Sequence, residues 1–189
     1  MHLLDAIAHI THAHARAVVI SGSHGGRSAA EFVIALLLLW ISCTINAATL
    51  QGKVVGVADG DTITVLDAHN KQHKIRLQGI DAPEKAQAFG QKSKQSLNQL
   101  VHSNQVTLDF QKKDKYGRTV GKVLLNGSDI CLAQIKLGMA WHYKQYASEQ
   151  PKEDREIYAQ AEMDARNQAI GLWKDKSVTP PWEFRKQRK

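Results

Sequence analysis

A chain of 189 residues is long enough for one domain with its own hydrophobic core, and its two cysteines exclude a disulfide-stabilised fold if the first is lost with a leader. It carries 25 Lys and Arg against 18 Asp and Glu, a formal net charge of +7, and the excess belongs to the part after Ala47, because the charges before it cancel. Such a basic domain is expected to favour polyanions, either nucleic acid or an anionic membrane surface, although charge alone does not distinguish these from a solubilising surface.

The front of the chain has the pattern of an export signal. Residues 32–41 are an uncharged apolar run of ten, which is too short to span a bilayer comfortably but is typical of a signal-peptide core. Arg27 precedes the run, and Ala47 offers a small residue for cleavage. We therefore predict that residues 1–47 are an N-terminal extension and signal peptide, that the protein is exported to the periplasm or the medium, and that no membrane span remains after processing.

Other interpretations of this front segment stay open. Cys43 offers lipid anchoring as an alternative to simple cleavage, and Glu31 beside the apolar run counts against export. The histidines of the leader could be taken for a metal-binding tract, but they lie in a segment that export would remove. If cleavage follows Ala47, only Cys131 remains, and we interpret it as a small buried hydrophobic residue.

After the leader, β-branched and alternating apolar segments are separated by turn signals. This pattern predicts a three-stranded meander over residues 49–57, 62–66 and 71–77. In the third strand Ile75 and Leu77 share one face. Arg76 is therefore expected to point to the opposite face, away from the core, where it can meet a ligand.

Helical periodicity follows the meander and alternates with further strand patterns. Segments 106–110 and 120–125 predict a hairpin. Ser128 or Asp129 can cap the helix that comes next, and Gly138 ends it. The predicted helices cover residues 86–102, 130–137 and 152–169. Pattern alone therefore supports an α+β fold with a small β-barrel.

Four short phrases carry the side chains best suited to phosphate chemistry. They are Asp-Gly-Asp-Thr at 59–62, Ile-Arg-Leu at 75–77, Ile-Asp-Ala-Pro-Glu at 80–84 and Asp-Lys-Tyr-Gly-Arg at 114–118. Each phrase alone is an ordinary turn or strand-exit signal. Together they supply carboxylate oxygens for a hard cation, guanidinium groups for a phosphate and a carboxylate to orient water. Their joint occurrence indicates a phosphodiester-cleaving site.

In order and spacing these phrases resemble the thermonuclease family, the staphylococcal-nuclease-like domains. The resemblance runs from about Leu50 to Trp173 and includes the phrases at 138–141 and 171–173. It implies an α+β fold, a five-stranded OB-fold β-barrel with three α-helices, over residues 48–176. Residues 177–189 lie beyond it as a basic C-terminal tail, for which a disordered terminus is the preferred interpretation over an extra phosphate-binding arm.

The resemblance also implies a metal ion. Asp61 and Asp81 would bind Ca²⁺ through hard carboxylate oxygens, and the main-chain carbonyl of Ala82 would add one more ligand. Water and substrate phosphate would complete the shell. Asp59 is interpreted mainly as a turn residue or an outer group, with a weak ligand role left open.

For catalysis, the resemblance implies that Arg76 and Arg118 hold the phosphate and that Glu84 accepts or orients the proton of the attacking water. It implies cleavage of both DNA and RNA with 3′-phosphorylated products. The segment between Glu84 and Phe89 is much shorter than in the longest family members, so a loop that helps to cover the substrate is expected to be missing.

Substrate binding is assigned in the same way to Lys115, Tyr116 and Tyr146, since aromatic rings stack on any base. An alternative is that such rings simply cover the barrel mouth. We expect a monomer. The main rival function is a non-catalytic nucleic-acid-binding module of the same fold, and a membrane-anchored scaffold that uses residues 32–41 is a third class.

Overall fold

The computed structural model describes residues 48–188, so the predicted signal peptide, its cleavage point and Cys43 lie outside the described residues. Strand β1 pairs antiparallel with β2 along its second half and with β5 along its first half. This long strand therefore serves both sides of the barrel. The strands are β1 Ala48–Val57, β2 Thr62–Leu66, β3 Gln72–Leu77, β4 Ile80–Asp81, β5 Gln105–Lys113, β6 Thr119–Leu125, β7 Ser128–Asp129 and β8 Trp141–His142.

The main sheet has the order β3-β2-β1-β5-β6-β7, and an additional parallel pairing of β3 with β6 closes it. In that closing pair Ile75 lies opposite Thr119 and Leu77 lies opposite Gly121. The five longer strands therefore form a barrel, and the predicted five-stranded OB-type fold is confirmed. A second, two-stranded sheet joins β4 to β8 beside it.

Alternation along the strands fills the barrel. Ile63, Val65, Ile75 and Leu108 are completely or almost completely buried, as the period-two pattern predicts. Burying one such side chain is worth about 1.5–3 kcal/mol relative to leaving it exposed. Cys131 belongs to the same core, and burial raises the pKa of its thiol to about 12. The prediction that it serves as a buried hydrophobic residue is confirmed.

The helices are α1 Gly90–Val101, α2 Ile130–Lys136, α3 Lys152–Asn167 and α4 Pro181–Gln187. Short 3₁₀ segments at Lys144–Glu149 and Gly171–Lys174 precede α3 and follow it. Of the two candidate caps for α2, Asp129 is the one that acts, because its carboxylate accepts a hydrogen bond from the Leu132 N–H at 3.0 Å. Within residues 48–188, every helix is too short or too polar to cross a membrane.

Helix α1 begins at Gly90, whereas the apolar spacing predicted a start near residue 86. Residues 84–90 form tight turns in which the Gln87 N–H donates to the Glu84 carbonyl at 2.8 Å. Phe89 has a φ of 66°, which is incompatible with the first turn of a right-handed helix. A Cβ at position 90 would lie 2.0 Å from the Glu84 carbonyl oxygen, so only glycine allows this close return of the chain.

The C-terminal tail is the second difference from expectation. Residues 181–187 form a fourth helix, whereas a disordered terminus was preferred and three helices were expected. Trp182 in α4 packs against the ring of Tyr143 in a stacked arrangement, with centroids 5.6 Å apart, and edge-on against Trp141 at 6.4 Å. Composition does not distinguish a solvated basic tail from a docked one. Aromatic packing of Trp182 is what docks this tail on the domain.

Candidate active site

The candidate site is a cavity of about 780 Å³ at the mouth of the barrel, between the start of β2, the end of β3, β4 and the β5–β6 hairpin. All nine residues that the sequence analysis selected line this one cavity. They are Asp61, Arg76, Asp81, Ala82, Glu84, Lys115, Tyr116, Arg118 and Tyr146. The fold therefore brings together four phrases that are spread over about sixty residues of sequence.

The Asp-Gly-Asp-Thr loop is held from behind by two helices. The buried amide of Gln134 in α2 donates to the Gly60 carbonyl at 2.8 Å. A Cβ at Gly60 would lie 1.8 Å from Ser93 Oγ in α1, so a glycine is required for the loop to lie this close. Asp61 is only 6% exposed, and its Oδ2 accepts a hydrogen bond from the Ala82 N–H at 2.7 Å.

Arg76 lies between the two predicted metal-binding carboxylates. Its Nη2 donates to Asp81 Oδ1 at 2.9 Å, and its Nη1 lies 2.6 Å from Asp61 Oδ2. The second contact is a charge pair and not an aligned hydrogen bond, because Nη1 has no hydrogen-bond partner among the described residues. As predicted, Ile75 and Leu77 face the core while Arg76 points away from it to the site.

The electrostatics of this cluster follow from burial and close charges. Burial alone would lower the pKa of the Arg76 guanidinium, but the carboxylates of Asp61, Asp81 and Asp59 outweigh it and raise that pKa above its usual range. Burial, together with the nearby Asp61 carboxylate, raises the pKa of Asp59 to about 6. Asp59 accepts a hydrogen bond from the Asp61 N–H at 3.2 Å, which fits its interpretation as a turn residue.

Glu84 follows β4 and stands at the edge of the cavity. Its side chain is 40% exposed, so water can reach it, and its backbone N–H donates to Gln87 Oε1 at 3.2 Å. The tight turns that end at Gly90 fix this position. A half-exposed carboxylate beside buried charges is suited to orienting a water molecule.

Arg118 is held differently from Arg76. Its Nε donates to Asp114 Oδ2 at 2.7 Å and its Nη1 donates to Thr62 Oγ1 at 3.4 Å. Burial tends to raise the pKa of Asp114. Hydrogen bonds from Arg118 and from the Tyr116 N–H outweigh it and hold that pKa below its usual range. One ionised carboxylate thus orients the guanidinium group of Arg118, which lines the cavity.

The rim of the cavity is basic and aromatic. Tyr116 is 72% exposed and Tyr146 is 44% exposed. Lys115 lies over the Tyr116 ring at 5.1 Å. These positions are compatible with stacking on a base, while Tyr143 is covered by Trp182 of α4. Of the tyrosines near the mouth, Tyr143 therefore fits the alternative interpretation, in which the ring serves to cover the barrel.

Sequence reasoning missed one residue of the site. Arg185 in α4 donates from Nη1 to Glu84 Oε1 at 2.8 Å and from Nη2 to Asp81 Oδ2 at 2.8 Å. It lies 104 residues from Asp81 in sequence. The signal that could have found it is Trp182, because burying its large apolar ring favours docking of the tail, and a residue three positions later lies on the same face of a helix.

The donor set fits a hard divalent cation. Asp61 and Asp81 present carboxylate oxygens in a buried pocket, and oxygen is the ligand that Ca²⁺ and Mg²⁺ prefer. Within residues 48–188 there is no group of three or more His, Cys, Asp or Glu side chains arranged to hold a metal. A cation at the two carboxylates would therefore need further ligands from a carbonyl, water or phosphate.

Buried carboxylates, three guanidinium groups and an open rim of lysines and tyrosines at a barrel mouth define a site of the phosphodiester-binding class. Comparison with known proteins gives the same class. The family model described as "Staphylococcal nuclease homologue" matches residues 74–175.

Curated relatives agree with the family model. An uncharacterized endonuclease of Haemophilus influenzae is 46% identical over 137 residues, which cover 72% of this chain and 74% of that protein. An uncharacterized endonuclease of Escherichia coli O157:H7 is 36% identical over 156 residues, covering 82% and 97%. A micrococcal nuclease of Shigella flexneri is 36% identical over 151 residues, covering 75% and 84%. The chain therefore belongs to the staphylococcal nuclease homologue family and is a hydrolase of the nuclease class.

Proposed function

We propose that this protein is an exported, Ca²⁺-dependent endonuclease that hydrolyses phosphodiester bonds of DNA and RNA and leaves 3′-phosphorylated products. The observation that carries the proposal is the arrangement of Asp61, Arg76 and Asp81, in which two buried carboxylates share one guanidinium group at the cavity floor. Such an arrangement suits a divalent cation and a phosphate bound side by side.

Asp61 and Asp81 would hold the cation, and the Ala82 carbonyl would assist them. When bound, the cation supplies positive charge that polarises the phosphoryl group and offsets its developing negative charge. Ala82 suits this role because only its backbone is needed, and its N–H already ties it to Asp61 at 2.7 Å.

Arg76 and Arg118 bind the phosphate from two sides. Both residues line the same cavity, Arg76 from β3 and Arg118 from the turn just before β6. As water adds to phosphorus, the equatorial oxygens gain negative charge. Fixed guanidinium groups therefore stabilise the transition state more than they stabilise the bound substrate. Arg118 would also stabilise the leaving 5′-oxygen, and would do so electrostatically and not by giving up a proton, because an arginine keeps its proton at any relevant pH.

Glu84 activates the water. Its carboxylate accepts a proton as the water oxygen forms the new bond to phosphorus. The bond from phosphorus to the 5′-oxygen breaks, the leaving oxygen takes a proton from solvent, and the phosphate stays on the 3′-oxygen. Lys115, Tyr116 and Tyr146 would bind the neighbouring nucleotides, with stacking worth about 1–3 kcal/mol per base.

Export is a proposal on separate grounds, the apolar run at residues 32–41 and the small residue at Ala47. The rival function, a non-catalytic binding module, is disfavoured because all the proposed catalytic side chains line one cavity. A binding module needs the basic rim but does not need buried carboxylates at its floor.

The direct test is incubation of the purified protein with DNA and with RNA after chelation, followed by addition of a single metal ion. We expect Ca²⁺ to restore cleavage of both polymers and to leave 3′-phosphate ends. Zn²⁺ should not match it, because the site offers only hard oxygen ligands. Rescue by Zn²⁺ that equals rescue by Ca²⁺ would contradict the metal assignment, and binding without cleavage in any metal would support the rival.

A further inference from the structure

Helix α4 places a guanidinium group on the carboxylates of the candidate active site. Arg185 Nη2 lies 2.8 Å from Asp81 Oδ2, and Nη1 lies 3.2 Å from Asp81 Oδ1 and 2.8 Å from Glu84 Oε1. Both oxygens of Asp81 thus contact Arg185. Asp81, proposed to bind the cation, and Glu84, proposed to activate water, are thus both paired with Arg185 of α4.

The docking of α4 also depends on uncharged contacts. Trp182 stacks on Tyr143 with ring centroids 5.6 Å apart and an interplanar angle of 16°, and it meets Trp141 edge-on at 6.4 Å. The Gln87 amide donates to the Thr179 carbonyl just before the helix. The aromatic contacts set where the helix lies, and Arg185, one turn further on, reaches the carboxylates from there.

Arg185 and a divalent cation compete for the same negative charge. Asp61, Asp81 and Glu84 face Arg76 and Arg185 in the cavity. In the absence of a metal, Arg185 compensates carboxylates that would otherwise repel one another. A divalent cation on Asp81 would meet the Arg185 guanidinium at close range in a buried setting, where like charges repel strongly.

We propose that residues 177–188 form an intramolecular latch, in which Arg185 closes the cation site and α4 moves aside when the metal and the phosphodiester enter. The inference rests on the proposed function, because it needs a cation site at Asp61 and Asp81. The closed state lowers the apparent affinity for the cation by the fraction of molecules that are open. The latch thereby keeps the Glu84 carboxylate paired with Arg185 until a cation and substrate displace the helix.

Calcium binding, measured by titration calorimetry on the purified protein without nucleic acid, tests the latch. Arg185→Gln should bind Ca²⁺ more tightly than the parent protein, by about 10-fold if about a tenth of the parent molecules are open. Lys186→Gln is the matched control, since it removes one charge from the same helix at an exposed side chain, and it should bind as the parent does.

A second variant separates movement of the helix from simple removal of a charge. Trp182→Ala keeps Arg185 but removes the aromatic docking contact, so it should also bind Ca²⁺ more tightly than the parent. Parent affinity in Trp182→Ala, with tighter binding in Arg185→Gln alone, would mean that Arg185 acts only through its charge, and the latch would be wrong.

The displacement itself is visible in the indole N–H resonance of Trp182, assigned with Trp182→Phe. Addition of Ca²⁺ to the parent should move this resonance toward that of a solvent-exposed tryptophan and speed its hydrogen exchange. Weaker Ca²⁺ binding to Arg185→Gln would overturn the latch. An increased KM for DNA in this variant would also overturn it, and would show that Arg185 is a third phosphate ligand. Calcium binding to none of the variants would refute the cation site as well, whereas equal binding to all would refute the latch alone.

Discussion

Arg76 differs from the other two proposed catalytic residues in how deeply it is buried. Its side chain is 14% exposed and lies against two carboxylates, Asp61 and Asp81, that are still less exposed. Arg118 is 26% exposed and Glu84 is 40% exposed. Removing Arg76 therefore leaves the buried Asp61 carboxylate without a charged partner among the described residues and leaves Asp81 with Arg185 alone. Removing Arg118 or Glu84 strands no carboxylate that is buried as deeply.

At residue scale, Arg118→Ala and Glu84→Gln should each lower the turnover of DNA by at least about 10²-fold, the scale seen when one fixed stabilising group is lost. Their melting temperatures should stay close to the parent value. Arg118→Lys should restore little, because the planar fork is lost. Lys136→Ala, an exposed change in α2, is the control. A variant that cleaves at the parent rate would remove that residue from the mechanism.

Arg76→Ala should lose activity by at least about 10²-fold and should also lose stability in metal-free buffer. Breaking one partner of a buried ion pair typically costs about 3–5 kcal/mol. Urea denaturation with and without Ca²⁺ measures this, and a bound cation should return part of the lost stability to the variant. An unchanged midpoint in chelator would show that Asp61 and Asp81 do not depend on Arg76 for compensation.

His142 gives the protein a pH dependence outside the active site. Its Nε2 lies 2.9 Å from Gln150 Oε1, and its Nδ1 is buried and has no partner among residues 48–188. Burial lowers the pKa of His142 below its ordinary value of 6.5; Gln150 and Glu162 oppose this, and Lys144 adds to it. Protonation of Nδ1 would create a charged, buried N–H group with no hydrogen-bond acceptor among the described residues, which costs free energy.

Because the pKa of His142 is lower in the fold than in the unfolded chain, the unfolded chain binds more protons below about pH 6.5. The free energy of unfolding should be fully retained above that pH and should fall as pH drops below it. Denaturation midpoints at pH 7.5, 6.5 and 5.5 should show a smaller decrease for His142→Gln than for the parent. His69→Gln, at an exposed histidine, should decrease as the parent does, and equal slopes in all three proteins would refute the assignment.

At the scale of elements, the turn that leads from β4 into α1 determines where Glu84 stands. The backbone passes so close to itself at Gly90 that a Cβ there would meet the Glu84 carbonyl oxygen at 2.0 Å. The start of a helix thus positions a proposed catalytic side chain six residues earlier. This coupling explains why the helix begins later than its apolar spacing indicates.

Gly90→Ala should therefore reduce both stability and turnover. Forcing an extra carbon into a packed site costs about 1–3 kcal/mol, and the turn that yields carries Glu84 away from its position. Gly56→Ala in β1 is the matched control, because its Cβ would come no closer than 3.7 Å to a neighbouring side chain and Gly56 does not line the cavity. Parent-like kcat in Gly90→Ala, measured on a saturating DNA substrate, would show that Glu84 is positioned in another way.

At the scale of the whole molecule, the apolar run at residues 32–41 and the small residue at Ala47 predict that the enzyme is exported. Expressed in a bacterium with a working secretory pathway, the protein should lose residues 1–47 and appear outside the cytoplasm with an N-terminus near Ala48. N-terminal sequencing of the periplasmic and extracellular fractions measures this. An N-terminus blocked by lipid at Cys43 would establish an anchored lipoprotein, and a full-length chain in the cytosol would refute export.

Much of the barrel and the site follows from local rules that act on neighbouring residues. Strand alternation predicts that Ile75 and Leu77 face inward and Arg76 outward, and the polar pair at residues 128 and 129 predicts the capped start of α2. The site phrases were recognisable as a set since metal and phosphate chemistry demands those residue types. These features depend on side-chain identity and short spacing, so a sequence is sufficient to determine them.

The start of α1 and the position of Arg185 were decided only by the tertiary structure. The apolar spacing predicted a start near residue 86, and the left-handed backbone of Phe89 together with the close approach of Gly90 to the Glu84 carbonyl excludes it. Arg185 has the composition of any basic tail, and it reaches Asp81 across 104 residues because Trp182 docks on Tyr143. Both depend on contacts between distant parts of the chain, whose energies no local pattern of residues encodes.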